Sequence, residues 1–223
     1  MSDLICDNYG LLLVITRFGI PLGFGDSNLE QVCQKHNVDK NTLLLVLNTL
    51  INTHDKPSNE QLKKISLSSL IEYLRNSHSF FLDFRLPYLR EQLLDAINKT
   101  DCPAEVAFVI RKFFDDYVEE VRKHMSYEEK IVFPYALDLE KKGIDKNYNI
   151  GIFSKRHDQI EMKITELKNI LIKYYPSPSG YELNSVLHDI FSSEEDLASH
   201  NYVEDHIFVP LIELMEQQDR RAN

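Results

Sequence analysis

Two stretches of this 223-residue chain share one spelling at a fixed distance. His124, Glu128, Glu129, Ile131 and Pro134 recur 76 residues later as His200, Glu204, Asp205, Ile207 and Pro210. The same offset pairs Glu119 with Glu195 and Glu120 with Asp196. In a helix, residues four apart lie about 40° apart around the axis, so each His/Glu pair points in one direction. Tyr117, Val121 and Ile131 fall on the face of the first pair, and Leu197, Ile207 and Leu211 on that of the second. Both pairs are therefore expected inside an apolar core. Burying imidazoles and carboxylates there without compensation costs several kcal/mol per charge. A metal centre removes that penalty, and the cores of helix bundles are where facing helices build such sites. Eight histidines and 18 glutamates in this chain would give about 0.65 His-xxx-Glu pairs by chance, and there are three, the third being His157 with Glu161. Two copies inside one repeat are not a matter of chance. Two further histidines, His78 and His157, stand 79 residues apart ahead of the two pairs.

The other polar candidates read as ordinary surface or packing. His36 and His54 sit in polar context and are expected in solvent, and His188 at a helix surface or in packing. His206 takes the place of Lys130 in the repeat and should face outward. Glu161 is a surface ion-pair residue or a neighbour of the metal; Glu120 and Asp196 could support ligands from behind. Asp83 and the run 194–196 read as solvated faces, and the aromatic residues, at helical spacing, as core. The Gly-rich stretch 19–26 lacks both a preceding strand and a GK[ST] ending, so it does not read as a phosphate loop.

The elements that must position these residues are helices. Seven Gly and eight Pro are few for this length, which leaves few turns and excludes an all-β fold. Helical patterns run near Tyr9–Phe18 and Leu29–His36, and after Asp39, a suitable N-cap, through Leu50. A polar stretch around Pro57 then separates a small helical N-terminal domain (1–58) from a larger one (63–219). The larger part divides into four long runs. The first spans 67–97 with Pro87 inside, which should kink or interrupt it. The second runs from Pro103 to a stop at Gly143, the third from 149 to 175 before Pro176, and the fourth from 179 to 218. Short connections between long helices give an all-α, antiparallel up-down four-helix bundle.

The formal net charge is −10, from 25 Lys+Arg against 35 Asp+Glu, which repels phosphate backbones and anionic lipid. Neither nucleic acid nor membrane is expected as a partner. Cys6, Cys33 and Cys102 are odd in number and contain no CxxC, which argues against a disulfide framework or a thiolate zinc site. The first residues lack the features of a signal peptide, and the richest apolar run, Leu43–Leu47, falls far short of a bilayer span. A cytoplasmic location is expected.

On these residues the chain resembles the hemerythrin-like HHE cation-binding domains, and within them the di-iron Repair of Iron Centres family. The resemblance rests on His78 followed by Arg85, Leu86, Pro87 and Tyr88; on His124, Glu128, Glu129, Phe133 and Pro134; on Arg156 and His157; and on His200, Glu204, Asp205 and Pro210. The N-terminal part is similar to that family's small domain through Phe18, Gly19 and Ile20, then 28–33, then Asn37, Val38 and Asp39. It departs where the family usually places a Cys-Cys pair, because Gly23 and Phe24 stand there; Cys33 is kept. A docking or dimerising role fits this small domain better than thiol chemistry.

The resemblance implies a centre of two iron ions held by His78, His124, His157 and His200, bridged by Glu128, Glu204 and an oxo or hydroxo group. Mixed imidazole and carboxylate ligation also suits manganese and could accept zinc. An open position would take a diatomic gas or peroxide. The implied function is repair of iron–sulfur clusters damaged by nitrosative or oxidative stress, with iron–sulfur proteins as partners. The alternative is an O2- or NO-binding sensor using the same site. The oxygen-carrying hemerythrins present two histidines a turn apart on the third helix, and Glu161, four residues after His157, does not meet that pattern.

Overall fold

A computed structural model describes residues 1–100, 102–143, 148–153, 158–175 and 181–222. All regular structure among the described residues is helical. The N-terminal helices are Leu11–Arg17, Leu29–His36 and Lys40–Ile51, close to expectation, with two short additions, Ser2–Asp7 and Asn59–Leu62. Their starts are set by local chemistry. Asn28 and Gln31 form a reciprocal capping box. Asp39 caps the third helix by accepting from the Thr42 N–H at 2.8 Å. The Thr42 hydroxyl donates to Asp39 at 2.6 Å and accepts the Ser66 N–H at 2.9 Å, which ties this helix to the start of the first long one.

The long helices carry a feature that 3.6-residue periodicity does not show. The first continues through Pro87: Leu67–Ser79 passes into a π-helical turn, Phe80–Arg85, and then into Leu86–Asn98. The expected kink or interruption is replaced by this wider turn. Similar turns occur at Glu128–Val132, between Ala104–Tyr127 and Phe133–Lys142, and at Glu204–Phe208, between Tyr181–Val203 and Val209–Ala222. Pro87, Pro134 and Pro210 each lie two residues beyond the end of a π-helical turn. A proline inside a helix offers no N–H and its ring collides with the carbonyl four residues back. That carbonyl belongs here to Asp83, Lys130 or His206, each inside a π-helical turn, where the wider ring gives the proline room.

The two copies place the same isoleucine differently. Ile131, expected in the core, is 44 % exposed, and Val132 is fully buried in its stead. In the second copy Ile207 and Leu211 are buried as expected.

The chain divides into two compact units. One comprises His78–Glu128 and Lys155–Ala198. Four helical stretches feed its single apolar core: Phe81 and Leu93 from the first, Phe114 and Tyr117 from the second, Leu167 and Leu171 from the third, Val186 and Ile190 from the fourth. Each such side chain contributes roughly 1.5–3 kcal/mol on burial. Arg85 fastens two of these stretches, donating to the Asp189 carbonyl at 2.8 Å.

The other unit comprises Met1–Ser77, Glu129–Ser154 and Ser199–Asn223. Here the N-terminal helices pack on the start of the first long helix, with Phe18 stacked on Tyr73 at 4.8 Å. Asn76 donates to the Arg17 carbonyl at 2.7 Å. Phe133 meets Phe208 edge to face at 5.6 Å. Glu216, 6 % exposed, accepts from the Tyr135 hydroxyl at 2.7 Å and the Ile150 N–H at 2.9 Å. The stretch 176–180, with the expected proline stop, and Arg156 lie outside the described residues.

Candidate metal centre

His124 and Glu128 are one turn apart, so helical geometry alone sets them side by side. The His124 Nε2 stands 2.8 Å from Glu128 Oε1. The second carboxylate oxygen, Oε2, lies 3.0 Å from Nε2 of His78, near the end of Leu67–Ser79. Each oxygen of Glu128 thus has its own imidazole. All three side chains are buried, Glu128 completely. Burial alone would push its carboxyl up. Hydrogen bonds and charge from His124 and His78 outweigh this and hold it well below the usual carboxylate range.

The second copy repeats the His/Glu pair. His200 occupies the last turn of Tyr181–Val203 and Glu204 opens the π-helical turn that follows, with Nε2 to Oε1 at 3.4 Å and both side chains fully buried. Glu128 opens its own π-helical turn in the same way. His78, Glu128, His200 and Glu204 are buried residues that could each offer a cation one donor atom. His124 adjoins this group through Glu128.

Neighbouring residues hold the helices that carry these ligand candidates. Arg75, one turn before His78, pairs with Glu129 at 2.9 Å and lies over the Phe133 ring. Beside His200, the Tyr202 hydroxyl donates to the Thr53 carbonyl and its ring stacks on His206 at 3.9 Å. His206 is half-buried through that stack rather than turned fully outward.

His157 lies outside the described residues, as does the side chain of Glu161. Among the described residues the Glu120 carboxylate pairs with Lys123 at 3.3 Å and Lys163 at 3.5 Å. His54 and His188 are exposed and His36 is half-buried. Two of the buried polar residues that the spacing does not point to lie in the stretch 200–222. One is Glu216; the other is Asn201, next to His200 and 5 % exposed. The repeat contains the signal for Asn201, since its counterpart 76 residues earlier is the apolar Met125.

The sequence model of the hemerythrin HHE cation binding domain matches residues 69–212, well over half of the chain. The chain belongs to that family. A search of curated proteins found no match. The match embraces the whole His/Glu group, and this hemerythrin-like protein has the donor chemistry that a cation requires. With neutral imidazoles, the buried Glu128 and Glu204 carry charge that a cation would offset. Two donors bound at about 2.1 Å to one ion at right angles are about 3 Å apart, close to the Glu128 spacings to His78 and His124. Imidazole with carboxylate and no thiolate suits iron, manganese or zinc. No helix among the described residues of this hemerythrin-like protein is long and apolar enough to cross a membrane.

Proposed function

We propose that this hemerythrin-like protein holds two iron ions and supports the repair of iron–sulfur clusters damaged by nitrosative or oxidative stress. The observation that carries the two-ion reading is Glu128. Its two oxygens pair with imidazoles from different helices, the arrangement of a carboxylate shared by two ions. Glu204 is its counterpart in the repeat, and His157, by its place in the sequence, completes the set of four imidazoles. Bound iron would supply redox chemistry and an open coordination position for a diatomic gas or peroxide.

The protein's own residues fix the centre rather than react. His78, His124 and His200 offer lone pairs, the two glutamates supply charge, and the apolar core excludes water. The N-terminal helices, similar to the small domain of the repair family, support the cluster-repair reading. The absence of the Cys-Cys pair at Gly23 and Phe24 favours a docking role for them. Cys33 agrees with this: it is 3 % exposed, and burial, reinforced by the Asp39 carboxylate, pushes its thiol up, away from the reactive thiolate. The same altered loop is what favours the second reading, an O2 or NO sensor in which these helices pass on a signal.

The test is to incubate the iron-loaded protein with an enzyme whose iron–sulfur cluster has been damaged by NO or peroxide. Recovery of that enzyme's activity, absent with the Glu204→Ala variant, supports repair. Reversible NO or O2 binding without recovery favours the sensor.

A further inference from the structure

Asn201 is 5 % exposed, and among the described residues neither its amide oxygen nor its amide nitrogen has a hydrogen-bond partner. Such a group is costly, because an amide buried without partners gives up its hydrogen bonds to water. A side chain of similar size without polar atoms would avoid that cost, and the repeat supplies one. Met125, its counterpart, is fully buried beside His124. The second copy therefore carries a hydrogen-bonding group where the first carries none.

Its place on the helix gives the group a purpose. Asn201 directly follows His200 and precedes Glu204 by three residues, about 60° from it around the axis and within side-chain reach. It is buried next in sequence to His200, and among the described residues its two N–H donors and one acceptor are uncommitted. We infer that Asn201 is the hydrogen-bonding residue for a small anion or small oxygen- or nitrogen-containing molecule taken up on the His200/Glu204 side of the centre. This rests on the metal-binding reading and adds to it which side receives the ligand. At the matching position of the other copy, the apolar Met125 offers no equivalent donor.

The experiment uses the full chain loaded with ferric iron and titrated with sodium azide, followed by ultraviolet–visible absorption. Wild type is compared with Asn201→Leu, which keeps the volume and removes the polar atoms, and Asn201→Ser, which keeps a shorter donor. Met125→Leu is the control on the other copy. The expected result is azide binding about tenfold weaker or more in Asn201→Leu, since a hydrogen bond to a charged group is lost. Asn201→Ser should fall in between, and Met125→Leu should match wild type. Iron content should stay the same in all four, and metal-free Asn201→Leu should unfold at or above the wild-type temperature. Unchanged azide affinity in an iron-replete Asn201→Leu protein overturns the assignment and leaves the metal reading intact. Wild-type protein that takes up no iron overturns both. Should Asn201→Leu fail to fold, equal azide affinity in Asn201→Ser and wild type overturns the assignment.

Discussion

Replacing Glu128 by Gln changes charge with almost no change in shape, which isolates what the buried carboxylate does before any metal binds. Its oxygens lie 2.8 Å from His124 Nε2 and 3.0 Å from His78 Nε2. A hydrogen bond to a charged partner is worth about 1 kcal/mol more than a neutral one. Two such contacts therefore put the cost of Glu128→Gln at about 2 kcal/mol. For a chain of this length, 1 kcal/mol moves the unfolding temperature by roughly 2–4 °C, so a drop of about 4–8 °C is expected. The assay is thermal unfolding followed by far-UV circular dichroism on chelator-treated protein at pH 7 and in mild acid. The pH dependence has a definite sign. The folded carboxyl is held below its ordinary value, so on acidification the unfolded chain takes up the proton first. The stabilisation is present above about pH 4–5, the unfolded carboxyl range, and is lost as pH falls through the folded value. The difference between wild type and Glu128→Gln should thus be largest at pH 7 and shrink in acid. Equal unfolding temperatures at pH 7, or a difference that grows in acid, would refute the placement of Glu128 between two imidazoles.

His124→Ala and Glu204→Ala should each lower bound metal several-fold, while His36→Ala and His54→Ala leave it unchanged, as read by metal analysis of purified variants. Glu216→Ala strips the acceptor from the Tyr135 hydroxyl and the Ile150 N–H, so denaturant unfolding should show a loss of about 2–4 kcal/mol. A thiol reagent at neutral pH should label Cys6 first and Cys33 last, because Cys6 is exposed and Cys33 is buried with a raised thiol pKa. Mass spectrometry of digested samples taken over time gives the order.

The helices and the His/Glu pairs were legible because both depend on spacing along a single helix. His124 with Glu128 and His200 with Glu204 need only the four-residue step, and Asp39 needs only its own first turn. What escaped depends on something that a uniform 100° step does not contain. That step does not contain the π-helical turns at Glu128–Val132 and Glu204–Phe208, and it does not separate Ile131, which is 44 % exposed, from its buried counterpart Ile207. Pro134 and Pro210, each six residues after a glutamate in mid-helix, were the available clue. Repeat position alone does not show the partners of Glu120, whose carboxylate pairs with Lys123, one turn on, and with Lys163, on another helix. Glu216 is explained by partners 66 and 81 residues away, a separation at which sequence spacing gives no guidance.

The central claim is tested most directly by the amount of metal per chain in protein purified without oxygen from iron-supplied cells. Close to two irons per chain, falling sharply in Glu128→Ala, is the predicted result. Correctly folded protein that carries no iron and takes none up on reconstitution would contradict it.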